Sequence, residues 1–269
     1  MSAGPAWVAG AVALLAAVLL APAALRLGPQ RLRVENWAGR TVPATLGWAL
    51  LAAGTIGTWT AVLAGGTGVV LVWAAAVLVF AAGFLDDALG HHARGLRGHL
   101  ASMLGGRPTT GVLKLVVGTA LGIGLAVWLG GDAARVTAAS VVIVLSINLW
   151  NVLDVVPGRA LKWAIVVLAA VLPAALDRLT GPLLAAGLGA AVGILSFDLR
   201  ERGMLGDAGS NPLGLLAGLG LAVVLPTAWL IVAAVAAVVL QVAAETVTIT
   251  RIVEAVPPLR WFDRLGRRS

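Results

Sequence analysis

The sequence predicts an all-α fold: a polytopic membrane bundle of about nine transmembrane helices, N-terminus outside and C-terminus cytoplasmic. Three observations predict it. First, 60% of the 269 residues are hydrophobic and 12% are charged, whereas soluble domains are roughly half apolar and about a quarter charged. Second, the apolar residues fall in runs close to the roughly 20 residues that a bilayer-crossing helix needs. Third, with the N-terminus outside, every one of the 19 Lys and Arg residues except Arg135 and Arg178 lies on the inner loops and their helix edges, as the positive-inside rule requires. The net charge of +7 therefore records topology, and nucleic-acid binding has no separate support. The composition excludes a water-soluble globule and a disordered chain. The absence of cysteine excludes disulfides, zinc–thiolate sites and Cys nucleophiles.

The runs are 6–25, 45–65, 68–85, 111–130, 135–153, 161–176, 181–197, 212–225 and 227–247. The first ends in Ala21-Pro22-Ala23, faintly like a signal-peptidase site, but Arg26, Arg31 and Arg33 follow it and no basic residue precedes it. A cleaved signal has the opposite polarity, so this is a retained helix. The sixth and eighth runs are short. The fourth, seventh and eighth are Gly/Ala-rich, as tightly packed membrane helices are, and could support a homodimer interface. Pro226 divides the last two, leaving either two helices or one long kinked helix. Residues 1–247 thus form one membrane domain. Residues 248–269 form a basic tail whose end, Leu259-Arg260-Trp261-Phe262-Asp263-Arg264, reads as an amphipathic interfacial segment.

In so apolar a chain each acidic residue matters. Asp132 and Asp177 sit in outer loops beside Arg135 and Arg178 and read as solvated charges. Asp86, Asp87, Asp154, Asp198, Glu201 and Asp207 all fall on inner loops at helix ends, so three loops deliver carboxylates to one membrane face. In Gly83-Phe84-Leu85-Asp86-Asp87, adjacent carboxylates repel unless a cation lies between them. In Asn148-Leu149-Trp150-Asn151-Val152-Leu153-Asp154 the polar residues recur along one side of a helix. Two readings stay open there: amides hydrogen-bonding across helices, or a polar stripe leading to a carboxylate at the surface. In Gly206-Asp207-Ala208-Gly209-Ser210-Asn211-Pro212, small residues let backbone N–H groups turn toward a ligand, and Pro212 suits the first turn of the next helix. Such a helix start is a natural phosphate seat, and Asp207 could hold Mg²⁺ against the phosphate.

The three clusters in this order resemble the polyprenyl-phosphate N-acetylhexosamine-1-phosphate transferases, the superfamily of phospho-MurNAc-pentapeptide translocase and the GlcNAc-1-phosphate transferases. Its members carry Asp-Asp after the third helix, an Asn-x-x-Asn-x-x-Asp stretch and Gly-Asp-x-Gly-Ser. Here these are Asp86-Asp87, Asn148/Asn151/Asp154 and Gly206-Asp207-Ala208-Gly209-Ser210, and Asn36-Trp37-Ala38-Gly39-Arg40-Thr41-Val42-Pro43 is similar to the family's first inner loop. The resemblance implies Mg²⁺-dependent transfer (Mn²⁺ as a substitute) of a sugar-1-phosphate from a nucleotide sugar to undecaprenyl or another polyprenyl phosphate. The reaction would lie on the cytoplasmic face of a bacterial inner membrane, for cell-envelope polymer synthesis. It implies Asp86, Asp87 and Asp207 as catalytic, with Asp207 and Asp87 on the metal. Asn148, Asn151, Asp154, Arg159, Lys162, Gly206, Gly209 and Ser210 would bind substrate. Lys114 would meet an anionic lipid headgroup, or else snorkel to the interface.

The sequence departs from the family at two places. The middle motif usually continues Asp-Gly-x-Asp-Gly-Leu, whereas here Asp154 is followed by Val155, Val156, Pro157 and Gly158, then by Arg159 and Lys162. A carboxylate is exchanged for positive charge, which favours an anion over a cation. The tail also lacks the family's His-rich motif; His91, His92 and His99 follow the Asp pair instead, near Arg94 and Arg97. The leading function is therefore a phosphoglycosyl transferase. The runner-up is a degenerate member that binds a lipid phosphate or a partner protein. A secondary transporter ranks last, because the acids sit at helix ends and no repeat is visible.

Overall fold

The computed structural model describes residues 3–65, 67–89 and 109–267. Over them run α1 (Gly4–Leu27), a short hairpin of β1 (Arg33–Glu35) and β2 (Thr41–Pro43), α2 (Leu46–Leu63), α3 (Val70–Leu89), α4 (Thr110–Leu129), α5 (Ala133–Leu153), α6 (Arg159–Ala175), α7 (Gly181–Leu199), α8 (Asp207–Val224) and α9 (Thr227–Thr246). Two short helices follow in the tail, α10 (Ile249–Ala255) and α11 (Pro257–Arg264). Among the described residues eight helices are long and apolar enough to cross a membrane. The ninth of the bundle, α6, has 17 residues, the lower limit for a span. The fold is an all-α polytopic membrane bundle.

α8 is the central post, with 83% of its apolar window buried against 22% for α4 and α9 on the rim. It packs on α5, α3, α6 and α2, while α1 lies across α7 and α2. Lipid tails are as apolar as leucine, so membrane helices gain by close backbone approach instead. Small residues permit that here. Ala6, Ala9, Ala13, Ala17 and Ala21 of α1 are fully buried, and a Cβ at Gly193 of α7 would come 2.7 Å from the Ala17 Cβ. On the other side, a Cβ at Gly218 of α8 would lie 2.8 Å from the Ile143 Cα of α5. The small faces of α7 and α8, expected as possible dimer surfaces, are thus spent on packing inside the chain.

The start of α8 differs from expectation, and its end decides between the two readings at Pro226. α8 begins at Asp207, five residues before Pro212, which lies inside the helix. Gly206 supplies the cap and the first N–H groups find a carboxylate acceptor, so the helix starts upstream of the proline. At the far end Leu225 is extended and Pro226 caps α9, making two helices. Asp132 and Arg135 are structural and not merely solvated. Asp132 caps α5 by accepting from the Arg135 N–H at 2.7 Å, and the Arg135 guanidinium donates to the carbonyls of Ala222 (2.7 Å) and Leu225 (3.0 Å) at the end of α8. A cation there also complements the negative end of the helix dipole.

The loop before α8 locks onto the hairpin. Met204 N–H donates to the Pro43 carbonyl at 2.9 Å, and the Leu46 and Gly47 N–H groups donate to the Met204 and Leu205 carbonyls at 3.0 and 3.2 Å. Asn36 folds the hairpin tip by accepting from the Ala38 and Arg40 N–H groups and donates to Glu201 at 2.7 Å. These contacts fix the loop that carries Gly206 and Asp207.

Candidate active site

Three helix ends meet at one end of the bundle. α3 supplies Asp86 and Asp87 in its last turn, α4 supplies Thr110 and Lys114 in its first two, and α8 opens with Asp207. Lys114 Nζ pairs with Asp86 at 2.9 Å and with Asp207, bridging two carboxylates. Thr110 Oγ1 donates to the other Asp86 oxygen at 2.6 Å. Asp87 accepts from the N–H groups of Asp207 (3.0 Å) and Ala208 (2.9 Å), one on each oxygen. A carboxylate at a helix N-terminus satisfies orphan donors and complements the dipole.

This geometry corrects one expectation. The first N–H groups of α8 do not stand open as a phosphate seat, because the Asp87 carboxylate occupies them. Gly206 and Gly209 act through the backbone. Gly206 has φ +68° and ψ 177°, a region essentially reserved for glycine, and a Cβ on it would lie 2.7 Å from an Asp87 oxygen. Gly209 faces Gly47 of α2, where a Cβ on Gly47 would come 2.5 Å from the Gly209 nitrogen. Ser210 is completely buried and its hydroxyl has no hydrogen-bond partner among the described residues.

Asp154 follows α5 and joins the cluster from the third direction. Burial, followed by the like charges of Asp198, Asp207 and Asp87, pushes its carboxyl well above the usual range, against the lowering influence of the Gly206 N–H. Of the Asn stripe, Asn148 donates to Gln241 of α9 at 2.8 Å, which realises the cross-helix reading. Asn151 is half-buried one turn before Asp154. Below the carboxylates lies a cavity of about 220 Å³, whose lining includes Lys114, Asn148, Asn211, Gln241, Leu115 and Val144.

The sequence profile of the family described as Glycosyl transferase family 4 matches residues 69–226, more than half of the chain. The match takes in Asp86, Asp87, Lys114, Asp154 and Asp207 together. The chain belongs to glycosyl transferase family 4. Membership carries, as the family's general activity, sugar-1-phosphate transfer to a polyprenyl phosphate. Among curated proteins none matches the chain.

Two substrate residues expected from the sequence stand apart from the family 4 cluster. Arg159 and Lys162 are buried and turned into the tail. Arg159 makes a two-pronged pair with Asp263, at 2.8 and 3.0 Å, and Lys162 donates to the carbonyls of Phe262 (2.8 Å) and Asp263 (2.5 Å). They hold a segment of the chain itself. His91, His92, His99, Arg94 and Arg97 lie outside the described residues.

Sequence reasoning missed Thr110, Gln241 and Asn211, and gave Asp198 only a place on the inner face. Asn211 is 1% exposed, and neither atom of its amide has a hydrogen-bond partner. Asp198 is buried and accepts from the Gly158 N–H at 2.9 Å. A signal was present for two of them, since Asn211 and Gln241 are polar residues in apolar helices, where they are costly.

Proposed function

We propose that this family 4 member moves a sugar-1-phosphate from a nucleotide sugar to a polyprenyl phosphate on the cytoplasmic face of a bacterial inner membrane. An oxygen of the acceptor phosphate forms a bond to the sugar-bearing phosphorus of the donor. The bond between that phosphorus and the bridging oxygen of the nucleotide breaks, the nucleoside monophosphate leaves with the electron pair, and a lipid-linked diphosphate sugar remains. Both reactants are anionic, so catalysis is mostly positioning and charge neutralisation.

The observation that carries this reading is Lys114 between Asp86 and Asp207. Its ammonium balances two carboxylates in the resting site and is within reach of the 220 Å³ cavity, whose mixed polar and apolar walls suit a lipid with an anionic head. In this reading Lys114 exchanges a carboxylate for the acceptor phosphate. Asp87 keeps Asp207 in place through the α8 backbone, and Asp86, steadied by Thr110, orients Lys114.

The donor atoms also fit Mg²⁺. They are all oxygens, as a hard cation prefers, and the like charges crowding Asp154 are what a divalent ion would relieve. Among the described residues no three acidic or His side chains converge as a ready cage. That suits an ion held by one or two carboxylates and completed by substrate phosphates. Asp207 and Asp154 would hold it, with Asp87, expected from the sequence to be a ligand, behind Asp207. When bound, the ion would supply neutralisation of phosphate charge.

One observation favours a second reading, a binder without catalysis: Pro157 stands where a carboxylate was expected, and the nearby cations are taken by the tail. Purified protein with undecaprenyl phosphate, Mg²⁺ and a panel of nucleotide sugars separates the two. The transfer reading predicts lipid-linked sugar with one donor, lost on chelation and in Asp207→Asn. Turnover by Asp207→Asn near the wild-type rate would remove Asp207 from the metal, and no product with any donor would favour the binder.

A further inference from the structure

The residues after α9 form a built joint. Besides its pair with Asp263, Arg159 donates through Nη1 to Thr250 Oγ1 at 3.0 Å. Lys162 adds the Leu265 carbonyl at 3.2 Å to those of Phe262 and Asp263, so its ammonium caps the C-terminal end of α11. The Phe262 ring meets Trp163 edge to face at 5.0 Å. Arg267 also pairs with Asp263, and its Nε donates to the Pro157 carbonyl at 3.2 Å. The amphipathic segment is thus sorted, with Asp263 inward and Arg260, Trp261 and Arg264 outward.

Apart from Thr250 and the Arg267–Asp263 pair within the segment, these contacts join 257–267 to 157–163, the residues just after Asp154. The turn between is clamped from its other side by Asp198, which holds the Gly158 N–H. Gly158 has φ +73°, and Gly158 and Gly266 both pack on Leu199. Val156 lies buried in the turn, at 6% exposure. Its near end is Asp154, against Gly206 and Asp207.

We infer that Pro257–Arg267 is a strap that fixes the 155–158 turn and thereby sets Asp154 against the Gly206–Asp207 turn. Asp263 and Arg267 are positioning residues for the reaction. Removing Asp263 leaves Arg159 buried at 2% exposure without a countercharge, and a buried unpaired cation forces its surroundings to open. Arg267 is the direct tie to the turn. The catalytic consequence rests on the proposed transfer, whereas the mechanical part does not.

The chain has no cysteine, so Val156→Cys introduces a unique thiol inside the turn. Its labelling by a maleimide reports opening without any need for turnover, and Ala217→Cys, fully buried in α8, reports general unfolding. Asp263→Asn and Arg267→Ala should speed labelling at 156 roughly tenfold or more, as expected when a buried pair loses a partner, with the thiol at 217 still protected. The same substitutions in the wild-type background should lower kcat roughly 10- to 100-fold with the acceptor KM nearly unchanged, and Asp263→Glu should recover part of the loss. Unchanged labelling overturns the strap, and faster labelling with unchanged kcat overturns the positioning role. Where Asp263→Asn also exposes the thiol at 217, Arg267→Ala decides, because it leaves the Arg159–Asp263 pair in place. A wild type that turns over no donor counts against the transfer reading alone, and labelling then decides the strap.

Discussion

Lys114 keeps only 11% of its side chain exposed while touching Asp86 and Asp207, an arrangement that a lysine snorkelling to the interface would not show. Lys114→Met removes the charge and keeps the chain length. Initial rates of lipid-linked sugar formation should fall roughly 10²- to 10³-fold, the usual loss for one preorganised electrostatic group; near-wild-type rates would return the residue to a packing role. Asp263 makes a prediction of opposite character. Burial works to raise its carboxyl, but hydrogen bonds and charge from Arg159 and Arg267 outweigh burial and hold it below 3.8. A depressed carboxyl contributes stability that is fully present above the unfolded value of about 3.9 and is lost as pH falls through the lower folded value. Thermal unfolding followed by tryptophan fluorescence should therefore show Asp263→Asn losing stability relative to wild type from about pH 5 to pH 8, with the gap closing only below about pH 4. A gap that closed nearer neutrality would mean that the pair does not hold the carboxyl down.

At the scale of elements, the acidic clusters were legible because each is local: carboxylates, amides and glycines within one or two turns, at the end of an apolar run. What joins them was not. Asp87 reaches the start of α8 across 120 residues, and no spacing rule connects them, so the glycine loop read as an open phosphate seat and Pro212 read as the helix start. Arg159 and Lys162 were visible as unusual cations, but their partner, Asp263, lies about a hundred residues on, one of two acids in a basic tail. Gly206 makes the α8 start testable. Gly206→Ala forces a Cβ into a glycine-only conformation and toward Asp87, and should cost about 1–3 kcal/mol in thermal unfolding. Gly54→Ala, where an added Cβ meets nothing within 4 Å, should be nearly neutral. Equal effects would mean that the Gly206 conformation is not required.

Over the whole molecule, hydropathy delivered the membrane bundle, and among the described residues eight of the nine expected spans are long and apolar enough to cross a bilayer, because the bilayer imposes one length on every span. Which helix becomes the centre follows from packing that hydropathy does not encode: α8 is the least apolar of the membrane-length helices and the most enclosed. In the proposed reaction, that enclosure would keep Asp207 fixed while a lipid acceptor and a soluble donor arrive from different phases. In that reaction phosphorus, and not the sugar alone, moves to the lipid. The most direct measurement uses a nucleotide sugar carrying ³²P in the phosphate next to the sugar, incubated with undecaprenyl phosphate and Mg²⁺. Label should appear in the organic-soluble lipid, with unlabelled nucleoside monophosphate in the water phase. Label left in a nucleoside diphosphate while sugar enters the lipid would contradict the proposed reaction.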